Sequence, residues 1–148
     1  MVKDGRGKNY MSGKYFLDSN ILVYCFDTNS PNKQDVAQKS VKKLVDSKNG
    51  QLSTQSLQEF FNVITRKLNC TKENAKQSVE YFSAAFPVHC NTVKDILTAI
   101  SISIKTQFSF YDSLIVAAAK AENCDIVYSE DLNNGQEIDG IKIVNPFL

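Results

Sequence analysis

A chain of 148 residues, 43% apolar and 22% charged, has the length and composition of one soluble globular domain with one core, and excludes a disordered or fibrous protein. A net charge of +1 excludes a uniformly basic nucleic-acid-binding surface, and no apolar run reaches the ~20 residues of a membrane helix. Four scattered cysteines without a CxxC pair, beside the chain's one histidine, exclude a zinc site and predict reduced thiols in a cytoplasmic protein.

Residues 1–13, MVKDGRGKNYMSG, are polar, lack the apolar centre of a signal peptide, and are expected to form a flexible tail before a domain spanning 14–148. Tyr15 to Leu17 then read as a buried strand, followed by a short helix over Ser19 to Phe26. Asn32 to Lys48 carries Val36, Ala37, Val41, Leu44 and Val45 at helical spacing. A brief strand at Gln51 to Ser53 leads to a helix whose narrow stripe is Leu57, Phe60, Phe61, Ile64 and Leu68. Another helix follows from Thr71 to Phe82, then a strand at Pro87 to His89. Thr92 with Asp95 three residues on marks the next helix start. The run DSLIVAAAKA, Asp112 to Ala121, is apolar almost all round and predicts a deeply buried helix. Asp125 to Tyr128 and Ile141 to Val144 supply the last two strands, five in all. Strands alternating with helices argue an α/β fold with a parallel sheet.

In such sheets ligands sit beyond the carboxyl ends of the strands. Asp18 follows the first strand, in KYFLDSNILVYC, where a carboxylate among apolar residues needs a cap, a partner or an ion. Glu59 falls in the first turn of the helix after the second strand, Asp131 follows the fourth strand, and Asp112 opens the buried helix. Each also has a structural reading. Asp18 can cap the helix from Ser19, Ser56–Glu59 and Ser109–Asp112 match capping boxes, and Asp131 lies among turn residues. Gathered at one end of the sheet, the four would repel each other and raise their own pKa values. A hard divalent cation relieves that repulsion, and with no histidine or cysteine in the set it is Mg²⁺ or Mn²⁺ rather than Zn²⁺. Asn62 and Arg66 share the polar face of the Glu59 helix, where an amide and a guanidinium can orient a substrate and contact a phosphate.

Charge is unevenly spread. Pro31 to Gly50 holds five lysines and two aspartates, whereas Phe110 to the C-terminus holds seven acids and two lysines. Lys39, Lys42, Lys43 and Lys67 are the candidates for attracting a nucleic-acid backbone.

The blocks FLDSNILVY, STQSLQEFFNVITRKL, FSFYDSLIVAAA and CDIVYSEDLNNGQ, in that order, resemble those of PIN-domain nucleases, most closely the VapC-type toxins of toxin–antitoxin pairs. The resemblance covers Lys14 to the C-terminus. It implies a Rossmann-like three-layer α/β/α sandwich with a mostly parallel five-stranded sheet. It also implies an endoribonuclease dependent on Mg²⁺ or Mn²⁺, leaving 5′-phosphate and 3′-hydroxyl ends, with a small antitoxin protein as inhibitor and a homodimer as assembly. Residue by residue, Asp18, Glu59, Asp112 and Asp131 match the family's acids, with Glu130 the rival for the fourth, and Asn20 and Ser129 match supporting positions. Single-stranded or looped RNA is the expected substrate, since a duplex is too wide for a narrow acidic cleft. The alternative is a catalytically silent, metal-binding PIN-like module acting through a protein partner. A phosphoacceptor receiver domain needs two adjacent acids after the first strand, and Asp18 is followed by Ser19 and Asn20.

Overall fold

The fold was described from a computed structural model; residues 13–148 are described, so all of the expected tail except Gly13 lies outside the described residues. In chain order the elements are β1 (Tyr15–Leu17), α1 (Ser19–Tyr24), α2 (Pro31–Ser47), β2 (Gly50–Ser53), α3 (Thr54–Arg66), α4 (Lys72–Ala85), β3 (Val88–His89), α5 (Val93–Thr106), α6 (Phe110–Ala121), β4 (Ile126–Tyr128), β5 (Glu137–Ile138) and β6 (Ile141–Val144). The sheet has the order β3-β2-β1-β4-β6-β5, and every pairing is parallel except β5 with β6.

That sheet has six strands where five were expected. The extra strand, β5, is two residues long and makes a hairpin with β6, pairing Ile138 with Ile141. The turn between them is Asp139-Gly140, with φ of 49° and 84°. Positive φ at both central residues gives the turn the twist that antiparallel strands require. A strand of two residues has no periodicity to read, although its Asp-Gly turn is visible in the sequence.

Two cores lie on opposite faces of the sheet because successive strand residues point opposite ways. Phe16, Val127 and Ile143 pack with α5 and α6, whereas Leu17 and Leu52 pack with α1 to α4. Helix α6 is buried from Ser113 to Ala119, as its composition predicts. Burying each of its Leu, Ile and Val side chains contributes ~1.5–3 kcal/mol. Helix α5 differs, since Val93, Leu97 and Ile104 are exposed along it. Cys25 and Cys124 are buried, Cys90 is exposed, and all four cysteines are free thiols. Burial pushes the Cys25 and Cys124 thiols up to about 12, which leaves them unreactive. Among the described residues no helix is long and apolar enough to cross a membrane.

The connectivity fixes where a ligand can sit. From β1 the chain builds outward through β2 to β3, then returns to lay β4 on the other side of β1. The carboxyl ends of β1 and β4 therefore flank the switch point of the sheet, where a crevice opens. Leu17 pairs with Tyr128, so the next residues, Asp18 and Ser129, emerge side by side into that crevice.

Candidate metal centre

Asp18 is 4% exposed and lies at the N-cap of α1. Its Oδ1 accepts from the Ser19 backbone N–H at 2.7 Å, while Oδ2 accepts from Ser129 Oγ at 2.7 Å and Asn20 Nδ2 at 3.2 Å. The carboxylate thus caps its helix with one oxygen and joins the crevice with the other. Burial pushes its pKa from 3.8 up to about 6; the Ser129 and Ser19 bonds oppose this, and the Glu59 and Asp131 charges add to it.

Asn20 links the fourth strand's loop to the first. Its amide nitrogen also donates to Asp131 Oδ2 at 3.2 Å, and its Oδ1 accepts from the Glu130 backbone N–H at 3.2 Å. Ser129, fully buried, accepts from the Asp131 N–H at 3.2 Å while donating to Asp18. Glu130 turns elsewhere, to Lys33 of α2. Partial burial works against its charge, but the bonds from Lys33 and Tyr24 outweigh that and hold its carboxyl below the usual range. Of the two adjacent acids, Asp131 is therefore the one tied to Asp18.

Glu59 stands one turn deeper in its helix than expected. Helix α3 begins at Thr54, and its capping box is formed by Ser53 and Ser56. The overlapping pattern at Ser56–Glu59 loses because Ser53 ends β2 in extended backbone, the conformation an N-cap requires. Freed from capping, Glu59 accepts from Ser19 Oγ at 2.8 Å and from Gln55 Nε2 at 2.8 Å. Gln55 also donates to the Tyr111 carbonyl at 3.0 Å and so ties α3 to the first turn of α6, where Asp112 lies. Both neighbours are acceptors, which fixes the amide's orientation, and its Oε1 is left buried without a partner. Gln55 was not among the expected residues; its position four before Glu59 was the available signal.

The Ser109 hydroxyl accepts from the Asp112 N–H at 3.1 Å, which is the Ser109 half of the expected capping box on α6. The Asp112 carboxyl is raised by burial first, against the Ser109 bond, and then by the charges of Asp131 and Glu59. Acids from four separate segments thus feel one another at the switch-point crevice. A cleft of about 460 Å³ adjoins them, lined in part by Asn20, Tyr24, Glu59, Asn62, Lys67 and Asp131. Asn62 is where it was expected. Arg66 is not among the lining residues, and its neighbour Lys67 is. The other expected cations also lie apart from the cleft. Lys39 pairs with Asp35 at 2.9 Å, Lys42 pairs with Asp46 at 2.7 Å, and both border a separate depression with Lys43.

Among the described residues no three His, Cys, Asp or Glu side chains stand as a chelating group. Hydrogen-bond donors stand among the acids instead: Ser19 and Gln55 donate to Glu59, while Asn20 donates to both Asp18 and Asp131. The residues nonetheless fit a hard divalent cation. All four side chains offer oxygen only, and Asp18 is a buried carboxylate whose charge neighbouring acids disfavour.

The PIN domain family model matches residues 15–136. Solved structures share the fold at low identity, and three illustrate the range. VapC20 of Mycobacterium tuberculosis, a sarcin–ricin-loop-cleaving toxin, is 18% identical with a TM-score of 0.63, covering 80% of this chain and 90% of its own. A toxin–antitoxin complex from Klebsiella pneumoniae is 12% identical at a TM-score of 0.66, covering 90% and 98%. DNA-bound VapBC from Salmonella typhimurium is 19% identical at 0.65, covering 88% and 96%. No curated protein sequence matches this chain. With the family model spanning β1 to the start of the β5–β6 hairpin, the chain belongs to the PIN domain family.

Proposed function

We propose that this protein is an endoribonuclease dependent on Mg²⁺ or Mn²⁺, acting as the toxin of a toxin–antitoxin pair. The observation that supports the reading is the hydrogen-bond chain that joins Asp131 through Asn20 to Asp18, Asp18 through Ser19 to Glu59, and Glu59 through Gln55 to the Tyr111 carbonyl beside Asp112. Capping alone gives Glu59 no reason to be there, since the cap of α3 is Ser53. These four carboxylates would hold the ion. Bound there, the ion supplies charge neutralisation at the scissile phosphate and lowers the pKa of a coordinated water.

The chain's own groups supply the rest. Ser129 and Asn20 fix the orientation of Asp18 and Asp131. Ser19 and Gln55 fix Glu59. Asn62 and Lys67 line the cleft, and they would contact the ribose-phosphate backbone. A carboxylate of the set that is not fully committed to the ion would accept a proton from the attacking water. The Mycobacterium tuberculosis neighbour is a toxin that cleaves the sarcin–ricin loop, which supports looped or single-stranded RNA as the substrate class. The Klebsiella pneumoniae neighbour is a toxin–antitoxin complex, which supports an antitoxin protein as partner. A homodimer belongs to the same reading and is tested by sedimentation equilibrium.

The deciding experiment is cleavage of RNA by purified protein with Mg²⁺, with Mn²⁺ and with EDTA, beside Asp18→Asn. Cleavage is expected with either metal and should be lost in EDTA and in the variant. Undiminished cleavage by Asp18→Asn refutes the site. Metal binding with no cleavage of any RNA favours the catalytically silent module instead.

A further inference from the structure

Lys33 lies 97 residues from Glu130 in sequence, yet its ammonium donates to the Glu130 carboxylate. It also donates to the Tyr24 hydroxyl at 3.4 Å and lies 4.9 Å from the Tyr24 ring centroid and 5.8 Å from that of Phe147. Glu130 and Tyr24 both line the acidic cleft. The backbone of Glu130 is held by Asn20, whose amide reaches Asp18 and Asp131. Lys33 is thus a cation at the rim of the cleft, one residue removed from the proposed ion-binding carboxylates.

Helix stability does not explain it. Lys33 occupies the first turn of α2, a turn without an acid, where a cation opposes the helix dipole. Nor is the pair a buried clamp, because the two side chains are 40% and 25% exposed. A half-solvated pair of this kind exchanges its anion at low cost. A polyanion entering the cleft meets the carboxylates of Glu59, Glu130 and Asp131 on its lining, and every cation on the rim lowers that barrier.

We propose that Lys33 binds a phosphate of the substrate backbone, and that Glu130 occupies its ammonium until RNA enters. The phosphate replaces the carboxylate as the acceptor of a charge-assisted hydrogen bond, and Glu130 competes with substrate. This rests on the reading of the cleft as an RNA site. It makes two predictions of opposite sign at adjoining side chains. Removing the lysine weakens RNA binding, whereas neutralising the glutamate strengthens it.

The test is fluorescence anisotropy of a labelled single-stranded RNA with the full chain, in EDTA so that the strand is not cut. Salt is varied from about 50 to about 200 mM, the range in which backbone contacts are read. Lys33→Gln is expected to weaken binding several-fold and to flatten the slope of log K against log salt by about 0.7, one phosphate's share for a single strand. Lys33→Arg should keep the wild-type slope. Glu130→Gln should bind several-fold tighter, and Glu130→Gln combined with Lys33→Gln should bind like Lys33→Gln alone. An unchanged slope in Lys33→Gln overturns the inference while leaving the nuclease reading intact. Weaker binding by Glu130→Gln overturns it too, because an ion-binding or structural glutamate gives that sign. A wild type that binds no RNA in EDTA overturns it as well, and the nuclease reading is then decided by cleavage with Mg²⁺ or Mn²⁺.

Discussion

Replacing Asp18 with asparagine removes one buried charge and keeps the side chain's shape, so its effect on stability can be worked from the structure. The folded protein holds the carboxyl at about 6, against 3.8 for a free aspartate. At about 1.4 kcal/mol per pH unit, keeping it ionised in the fold costs about 3 kcal/mol. The sign follows from proton counting. Between 3.8 and about 6 the folded state binds more protons at Asp18 than the unfolded state, so stability falls as pH rises through that window. Below the window the acid is protonated in both states and the cost vanishes. Asparagine has no such titration. The difference in unfolding free energy, variant minus wild type, is therefore expected to grow by about 3 kcal/mol from below the window to above it. Mismatched hydrogen bonds lower the whole difference curve without changing its rise. The asparagine NH₂ must face either the Ser19 N–H or the Ser129 hydroxyl and Asn20 amide together, where the carboxylate accepted from all three. Urea unfolding of both proteins in EDTA, from about pH 3.5 to about pH 7.5, reads the curve. A flat difference, or one that shrinks as pH rises, refutes the claim that Asp18 is strained by its charge.

Gln55→Met keeps the buried volume and deletes the amide that serves Glu59 and the Tyr111 carbonyl. It is expected to cost about 1–3 kcal/mol in urea unfolding and to reduce the stabilisation gained on adding Mn²⁺, and a loss below ~0.5 kcal/mol contradicts the bridging role. Gly50→Ala is expected to cost about 1–3 kcal/mol through overpacking, since a Cβ there would lie 2.6 Å from Phe86 Cδ1 and 3.3 Å from Leu44 Cβ; an unchanged urea midpoint would show that the Phe86 ring moves aside. His89 sets a window in pH. Burial works against charging its ring, but Asp95 at 2.7 Å and Glu122 at 2.8 Å outweigh it and raise the pKa above 6.5. Its stabilisation is complete below 6.5 and is lost as pH rises through the raised value, so wild type should lose more stability than His89→Gln on the alkaline side, and parallel pH curves for the two would exclude it.

The elements legible in the sequence were those whose pattern is long or whose ends carry their own chemistry. DSLIVAAAKA announced a buried helix, and the Thr92–Asp95 box marks the start of α5, with both of its bonds made. The start of α3 was misread because STQS and SLQE offer two overlapping caps. What decides between them is where β2 stops, a tertiary matter that local spacing does not carry. The pairing of Lys39 with Asp35 and of Lys42 with Asp46 was open to view at i and i+4. What sets both lysines apart from the cleft is their place on a separate depression, which local spacing does not carry. At the candidate site, the acids could be named from their places after strands and at helix starts. Their supporting donors were less visible. Gln55 looks like an ordinary residue of a helix, and the Lys33–Glu130 contact spans 97 residues with no local signature.

Those donors bear on how an ion would be held. Two carboxylates that approach each other need something positive between them, and between Asp18 and Asp131 that position is filled by the amide of Asn20, 3.2 Å from each. Ser19 does the same between Asp18 and Glu59, through its N–H and its hydroxyl. A neutral donor satisfies the carboxylate's lone pairs but leaves its charge in place, and burial of that charge, with the nearby acids adding to it, keeps Asp18 raised to about 6 despite its bonds. A cation cancels the charge itself. The donors therefore hold the acids close and oriented, and an ion bound as proposed would exchange for them. Its net affinity is the difference between two sets of bonds, and substitutions at Asn20 or Gln55 should alter metal affinity without removing a single proposed ligand.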